Sequence, residues 1–262
     1  MKKASQVIPL AVLLTATLLF VGTIHSTKIS AVPGEKKTGV IVPLYNDPPS
    51  TDWNTLIDVR NGHPQVPMIV IINPYNGPGI FKNDNYTTLM QKLKSAGIVV
   101  LGYVSTRDGN RNISAALEDV NKYKIWYNVN GILFDEMPTA SGKEEYYKSL
   151  NDFTKSQGLT FTVGNPGTAV AESYVGILDN IIIYEKAGLP DLQSLEGWHL
   201  KYNKKNFSIT AYNVASLDQS YVINATKYVG YMYITNRNLP NPWDSLPSYF
   251  NDLVTKLDHS PY

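Results

Sequence analysis

The chain contains no cysteine among its 262 residues. It can therefore form no disulfide, no thiolate metal site and no cysteine nucleophile. Histidine is also scarce, and none of the histidines has the short spacing of a helical or hairpin zinc site. They are His25, His63, His199 and His259. The sequence therefore predicts neither a metal centre nor a cofactor.

Neither sign of charge dominates, because 23 Lys and Arg stand against 22 Asp and Glu, for a formal net charge of +1. No general positive field attracts a polyanion, so nucleic acid is not an expected partner. The chain also lacks a G-x-G-x-x-G sequence, a Walker sequence and a G-x-S-x-G nucleophile elbow. These absences argue against nucleotide chemistry and serine hydrolysis, and they leave carboxylate chemistry as the candidate.

The amino terminus has the pattern of an export segment. Two lysines follow Met1, and the 18 residues from Val7 to Ile24 carry no charge. This length lies between that of a signal peptide and a minimal membrane span, and Ile29–Ala31 is a poor cleavage site. We therefore expect residues 1–31 to be a cleaved signal peptide or an uncleaved anchor that attaches the protein to a membrane through residues 7–24. The protein is then secreted or held at the extracellular face of the membrane.

From residue 38 onward, short β-branched runs alternate with segments of helical period. Eight such runs are strand candidates, and most of them are continuously apolar rather than alternating, as expected of parallel strands that are buried on both faces. They are Gly39–Tyr45, Pro67–Pro74, Gly97–Ser105, Gly131–Glu136, Leu159–Pro166, Asp179–Glu185, Ser208–Val214 and Tyr228–Thr235. Eight strands alternating with helices in about 230 residues are typical of a (β/α)8 TIM-type barrel. We expect residues 38–262 to form one such domain.

Four segments between these strands have a clear apolar stripe at helical spacing. The stripes are Tyr86, Leu89, Met90, Leu93 and Ala96; Ile113, Leu117 and Val120; Tyr146, Leu150 and Phe153; and Phe250, Leu253, Val254 and Leu257. Ser141 and Glu144 have capping-box spacing, which predicts that the third of these helices begins at Ser141. The segments after the first, fifth and seventh strands are less clearly helical.

Acidic residues end two of the predicted strands. Asp135 and Glu136 end the fourth strand in the stretch GILFDEMP, and Glu185 ends the sixth. A TIM barrel builds its active site at these carboxyl ends. Since neighbouring strands lie about 4.8 Å apart, carboxyl groups two strands apart can approach to about 5–9 Å. Glycosidases use this interval, with about 5–5.5 Å in retaining enzymes and about 6.5–9.5 Å in inverting enzymes.

Successive side chains of a strand point to opposite faces, so Asp135 and Glu136 should have different roles. The pattern does not indicate which of the two faces the bond to be cut. Ordinary polar residues of a barrel mouth, or ligands of a hard cation such as magnesium or calcium, are the alternative interpretations of these acids.

Polar and aromatic side chains follow most of the other predicted strands. As candidates for binding a substrate we select Tyr45, Asn73, Asn76, Tyr103, Asn165 and Tyr212. Two Gly- and Pro-containing loops, residues 73–79 and 164–168, can bring backbone close to a ligand, or they can be loop geometry alone. Loops over a rigid barrel often carry function, so the two interpretations have about equal weight.

Six segments resemble, in order and spacing, the spherulin-4 (spherulation-specific family 4) proteins, which form glycoside hydrolase family 135. They are GVIVPLY, VIINPYNGPG, AGIVVLGYVSTRDGNR, GILFDE, NPGT and DNIIIYE. The resemblance covers Gly39 to Glu185 and is looser over the last two strands. The six segments together are specific, although each alone is weak.

The resemblance implies a (β/α)8 barrel that cleaves α-1,4 linkages within a galactosamine- or N-acetylgalactosamine-containing polysaccharide, with retention. It places the family's acids at Asp135, Glu136 and Glu185. By analogy with related retaining barrels, Asp135 is the nucleophile or charge stabiliser and Glu185 the general acid/base. Glu136 then orients a neighbour or raises its pKa. Asp108 replaces an aromatic residue of the family pattern in TRDGNR, which leaves the identity of the sugar open.

Three hypotheses follow for the function. The first is an exported, endo-acting glycosidase that uses its carboxylates and no cofactor. The second is a glycan-binding surface protein that keeps the barrel and has lost catalysis. The third is a hydrolase or lyase that uses a hard metal ion at the same acids. The sequence does not specify an oligomeric state.

Overall fold

A computed structural model describes residues 37–261 of the chain. The predicted export segment, residues 1–31, lies outside this range. Eight strands form a closed parallel barrel in which each strand pairs with the next and the last pairs with the first. They are β1 (Gly39–Pro43), β2 (Met68–Ile72), β3 (Val99–Ser105), β4 (Gly131–Asp135), β5 (Phe161–Asn165), β6 (Asn180–Ala187), β7 (Phe207–Tyr212) and β8 (Tyr231–Ile234). The predicted barrel is confirmed.

Six α-helices lie within residues 37–261. They are α1 (Thr51–Gly62), α2 (Asp84–Ser95), α3 (Ile113–Lys122), α4 (Glu144–Ser156), α5 (Gln219–Ala225) and α6 (Phe250–Asp258). A π-helical turn, Tyr123–Tyr127, extends α3. The connections after β5 and β6 contain only short 3-10 turns, so these two units of the barrel lack an α-helix. Among the described residues, none of the helices combines the length and apolarity needed to cross a membrane.

The strands are apolar on both faces because each face has its own core. Alternate residues point into the barrel, where they form a small inner cluster. This cluster comprises Ile41, Ile69, Ile71, Leu101, Tyr103, Leu133, Val163 and Ile182. The residues between them, such as Val40 and Val42, pack outward in a larger cluster that includes the helices. This inner cluster fills the barrel interior directly below the polar carboxyl ends of the strands.

The predicted stripes of α2 and α6 are confirmed, since their apolar residues are buried apart from the half-buried Ala96. The predicted start of α4 is wrong. The helix begins at Glu144, three residues after Ser141, and no side chain caps it. The Glu144 carboxylate accepts a hydrogen bond from the Gly142 N–H at 2.6 Å instead of completing a capping box. Gly142 has φ of +115°, a turn conformation that holds the chain out of the helix.

The buried face of α4 is also shifted from the predicted stripe. Its buried residues are Tyr147, Leu150 and Thr154, and the predicted Tyr146 and Phe153 are half-buried at its edge. The shift has a polar cause, since the Tyr147 hydroxyl lies 2.6 Å from the Thr106 hydroxyl at the end of β3. A tyrosine that is buried needs a partner for its hydroxyl, and this partner fixes the rotation of the helix.

A polar cluster joins the first and last helices at the amino-terminal face of the barrel. His63, directly after α1, has its Nδ1 3.0 Å from Asp258 Oδ2 and its Nε2 3.2 Å from the Thr255 hydroxyl on α6. Lys37, just before β1, donates to Asp258 Oδ1 at 3.1 Å. The Asp258 side chain is 22% exposed. The hydrogen bonds from His63 and Lys37 hold the pKa of Asp258 below its usual range.

We expect Asp258→Asn to lower the free energy of unfolding by about 1.5–3 kcal/mol at pH 7, the range for hydrogen bonds to charged groups. The measurement is urea unfolding, with Asp58→Asn, an exposed position on α1, as the matched control. A carboxyl whose folded pKa is lowered stabilises above its unfolded pKa of about 3.9 and loses that effect at lower pH. The difference between wild type and variant should therefore shrink as the pH falls below about 4 and through the lowered folded pKa. An equal difference at pH 7 and pH 3 would contradict the ionic account.

Candidate active site

Asp135 and Asn165 end neighbouring strands at the same level of the barrel mouth. The register pairs Asp135 of β4 with Ser105 of β3 on one side and with Asn165 of β5 on the other. Leu133 belongs to the inner cluster, and Asp135 lies two residues beyond it. Because side chains alternate along a strand, Asp135 also points into the mouth.

Glu185 reaches the same mouth through an irregularity in β6. Ile182 belongs to the inner cluster and Ile183 to the outer one, so simple alternation would point Glu185 outward. The register against β7 shifts between Ile182 and Tyr184, which inserts one extra residue. A bulge of this kind reverses the alternation after it. Glu185 therefore points inward, opposite Thr210.

One side chain bridges the two acids. The Asn165 Nδ2 donates to Asp135 Oδ1 at 2.8 Å and to Glu185 Oε2 at 2.9 Å. These two distances together limit the separation of the two carboxylate oxygens to 5.7 Å. The structure thus brings together the acids of β4 and β6, as the sequence predicted for strands two apart.

The surroundings give the two acids different proton affinities. Burial raises the pKa of Asp135, while hydrogen bonds from the Tyr103 hydroxyl, the Glu136 N–H and the Asn165 amide oppose this rise. Burial and the negative charge of Asp135 raise the pKa of Glu185 to about 7, against weaker opposition from Asn165 and Thr210. Asp135 has more donors for its charged form. It therefore ionises first, and Glu185 keeps its proton close to neutral pH.

The third acid, Glu136, has a different position. Its φ of +56° places it in the left-handed region, and its side chain is exposed. One carboxylate oxygen accepts hydrogen bonds from the Ser105 hydroxyl and, at 3.2 Å, from the Arg107 N–H. Glu136 is thus held by the β3–α3 turn, apart from the bridge between the other two acids. Asp135 and Glu136 therefore lie in different surroundings, and the difference in their roles stays a prediction.

Two tyrosines stand beside the acid pair. The rings of Tyr45 and Tyr103 meet edge to face, with their centroids 5.9 Å apart. Burial, with the negative charges of Asp135 and Glu185, raises the pKa of both phenols. Both therefore stay protonated at neutral pH, when a phenol can donate a hydrogen bond, and Tyr103 donates to Asp135.

The other predicted binding residues lie on the rim. Asn73 accepts a hydrogen bond from the Gly77 N–H at 2.7 Å and so braces its own loop, in which Asn76 is exposed with φ of +50°. Tyr212, at the end of β7, meets Trp243 edge to face at 6.0 Å. These three side chains can border a ligand that extends beyond the acids.

Asp108, where the chain departs from the family pattern, lies next to Glu136. Its N–H donates to the Glu136 carbonyl at 2.8 Å, and its side chain is exposed. Arg107, Asp108 and Gly109 all have φ between +50° and +68°. The position presents an exposed carboxylate at this turn, where the resemblance implies an aromatic ring.

Two hydroxyl residues of the site were missed by the sequence interpretation. Ser105 donates to Glu136, and the Thr210 hydroxyl lies 3.4 Å from Glu185 Oε2. Small hydroxyl residues are common in strands, so neither residue stands out in the sequence. The one available signal was the alternation of β7, in which Ile209 and Ala211 point outward and Thr210 therefore points inward. Within residues 37–261, no three His, Asp or Glu side chains are grouped to hold a metal ion.

Known proteins resemble this chain in sequence. A family model described as spherulation-specific family 4 matches residues 39–257. Spherulin-4 from Physarum polycephalum is 31% identical over 227 residues, which are 81% of this chain and 66% of that protein. The chain therefore spans about two thirds of the length of that relative.

Solved structures resemble it in fold. The crystal structure of Sph3 from Aspergillus clavatus in complex with GalNAc has a TM-score of 0.76 and 27% identity, and the match covers 85% of this chain and 98% of Sph3. Active domain 2 of a thermostable chitinase from Pyrococcus furiosus has a TM-score of 0.54 and 12% identity over 85% and 95% of the two chains. The second likeness shows the fold alone. The family model covers most of the chain, and the resemblance of the six sequence segments is confirmed: this chain belongs to spherulation-specific family 4, the spherulin-4 proteins.

Proposed function

We propose that the protein is an exported glycoside hydrolase that cleaves internal α-1,4 linkages of a galactosamine- or N-acetylgalactosamine-containing polysaccharide, with retention and without a cofactor. The observation that carries the proposal is the close pair of Asp135 and Glu185. Two carboxyl groups that share a barrel mouth and differ in proton affinity are what glycoside hydrolysis requires.

The separation of the pair supports retention. The bridged oxygens are at most 5.7 Å apart, from the two hydrogen bonds of Asn165. Retaining glycosidases hold their carboxyl groups about 5–5.5 Å apart, whereas inverting enzymes need about 6.5–9.5 Å to admit a water molecule. A pair this close favours direct attack by a carboxylate.

The protonation of the pair supports the assignment of roles. Glu185, with a pKa raised to about 7, donates its proton to the glycosidic oxygen as the C–O bond breaks. Ionised Asp135 attacks the anomeric carbon, or stabilises its positive charge. Glu185, now a carboxylate, then takes a proton from water, and the hydroxide forms the new bond to the anomeric carbon. This step releases Asp135 and restores the proton on Glu185.

The amino-sugar substrate is supported by similarity. Sph3, to which this chain is 27% identical, was crystallised in complex with GalNAc. Tyr45 beside the acids and the rim side chains Asn73, Asn76 and Tyr212 provide the rings and amides that hydrogen-bond and stack with sugars. Export through the amino-terminal segment would bring the enzyme to polysaccharide outside the cell.

The first test is hydrolysis by carboxylate variants of residues 32–262. We expect wild type to release new reducing ends from a hexosamine polymer, with the products identified by mass. Asp135→Asn and Glu185→Gln should lower the rate on the order of 10²–10⁴-fold or more, the contribution of one catalytic proton-transfer group. Glu145→Gln, at an exposed position on α4, is the matched control. Wild type that retains polymer on a column without producing ends would be a binding protein.

The second test is the pH dependence of kcat/KM. Activity requires an ionised Asp135 and a protonated Glu185, so the rate should fall as pH rises through about 7, the pKa of Glu185. It should also fall in acid, at a pH above the ordinary range of aspartate, because the pKa of Asp135 is raised.

An aryl glycoside whose phenol leaves without protonation separates the two roles. With this substrate, Glu185→Gln should regain activity in the first step, and its rate should no longer fall as the pH rises. Asp135→Asn should regain no activity. If the rate of Glu185→Gln still fell at high pH, a group other than Glu185 would be responsible for that decrease.

A further inference from the structure

We propose that Asn165 is the positioning residue of this site: its amide holds Asp135 and Glu185 as a pair and directs the proton of Glu185 to Oε1. The inference rests on the proposed function for its chemical meaning. It assigns Asn165 to the acids themselves, where the sequence predicted contact with the substrate.

The orientation of the Asn165 amide is fixed by its neighbours. Its Oδ1 accepts a hydrogen bond from the Gly167 N–H at 3.0 Å, and a backbone N–H can only donate. The amide nitrogen therefore lies on the opposite side, where its two hydrogens meet Asp135 Oδ1 and Glu185 Oε2. Each amide hydrogen has one acceptor, so both donors of the Asn165 side chain are satisfied.

This orientation determines where the proton of Glu185 resides. Because Asn165 donates to Oε2, that oxygen acts as an acceptor, and the Thr210 hydroxyl also lies 3.4 Å from it. A proton on Oε2 would compete with the amide hydrogen. The proton therefore belongs on Oε1, the oxygen that Asn165 leaves free for the substrate. In the same way, Asp135 Oδ1 is engaged, and Oδ2 is the oxygen that the amide leaves free.

The backbone reinforces the same arrangement. The Glu185 N–H donates to the Gly167 carbonyl at 2.9 Å, and the Met137 N–H donates to the Asn165 carbonyl at 2.9 Å. A closed circuit of hydrogen bonds thus runs from Asn165 to Glu185, from Glu185 to Gly167 and back to Asn165. The carboxyl-terminal parts of β4, β5 and β6 are linked through this one asparagine.

Asn165 shifts the pKa of both acids in the same direction. Its hydrogen bonds favour the charged forms and so lower the pKa of Asp135 and of Glu185. The other ionisable groups near the pair are Tyr45, Tyr103 and Glu136. The Asn165 variants substitute none of these three residues. Thr210 provides a contrast, because its hydroxyl acts on Glu185 alone.

The test compares Asn165→Ala with Thr210→Val in the otherwise unchanged protein. The carboxyl carbons of Asp135 and Glu185 are followed by NMR through a pH titration, which needs no turnover. We expect Asn165→Ala to raise both pKa values and Thr210→Val to raise that of Glu185 alone. In the pH profile of kcat/KM, both limbs should then move to higher pH in Asn165→Ala and the alkaline limb alone in Thr210→Val. Loss of alignment should also lower kcat on the order of 10²-fold in Asn165→Ala.

Asn165→Asp is the second variant, because it keeps the shape and the acceptor for Gly167 and can fold where alanine does not. Its carboxylate cannot donate to both acids, so both pKa values should again rise. Unmoved or lowered pKa values in the Asn165 variants would overturn the inference, even if the rate falls, since that result indicates a structural role. Wild type that cleaves no hexosamine polymer would defeat the proposed function, and the titration would still decide the role of Asn165.

Discussion

The constraint on which this site depends is the partial removal of two carboxyl groups from water, to which their repulsion adds because they are held close together. Both burial and proximity oppose a second negative charge, so a pair of this kind accepts one charge readily and the second only at higher pH. Hydrogen-bond donors decide which acid carries the first charge. Tyr103, the Glu136 N–H and Asn165 favour Asp135, while Glu185 has Asn165 and the more distant Thr210. The proposed division of roles thus rests on an unequal supply of hydrogen-bond donors.

The barrel brings the two acids and their donors together through the register of its strands and through one bulge in β6. Parallel pairing brings Asp135 and Asn165 to the same level, and the bulge at Ile183 turns Glu185 inward to join them. The connections after β5 and β6, on the side of the barrel that carries Asn165 and Glu185, are also those without an α-helix. Rigidity there comes from the hydrogen-bond circuit through Gly167 and from the long pairing of β6 with β7, which continues to Ala187 and Tyr212.

Sequence reasoning predicted the strands and acids well because both depend on local pattern. Short β-branched runs, most of them continuously apolar, marked all eight strands, and Asp135 and Glu185 were found as acids at strand ends. Contacts between residues that are distant in sequence could not be predicted in this way. The phase of α4 follows from the contact of Tyr147 with Thr106, and Asn165 bridges acids on two other strands. The bulge in β6 has no pattern of its own, because Ile181, Ile182 and Ile183 are alike in sequence but face different cores.

The strained turn beside the acids explains why three acids at one mouth do not share one site. Left-handed backbone at a non-glycine residue costs about 1–3 kcal/mol and persists only where the surroundings enforce it. Glu136, Arg107 and Asp108 all adopt it, and they contact one another through the Arg107 N–H and the Asp108 N–H. This conformation ties the Glu136 carboxylate to Ser105 and Arg107. The charge of Glu136 already raises the pKa of Asp135 from this position. A third charge bridged directly to the pair would raise both pKa values further, so holding Glu136 in the turn favours the ionised Asp135 that the proposed chemistry needs.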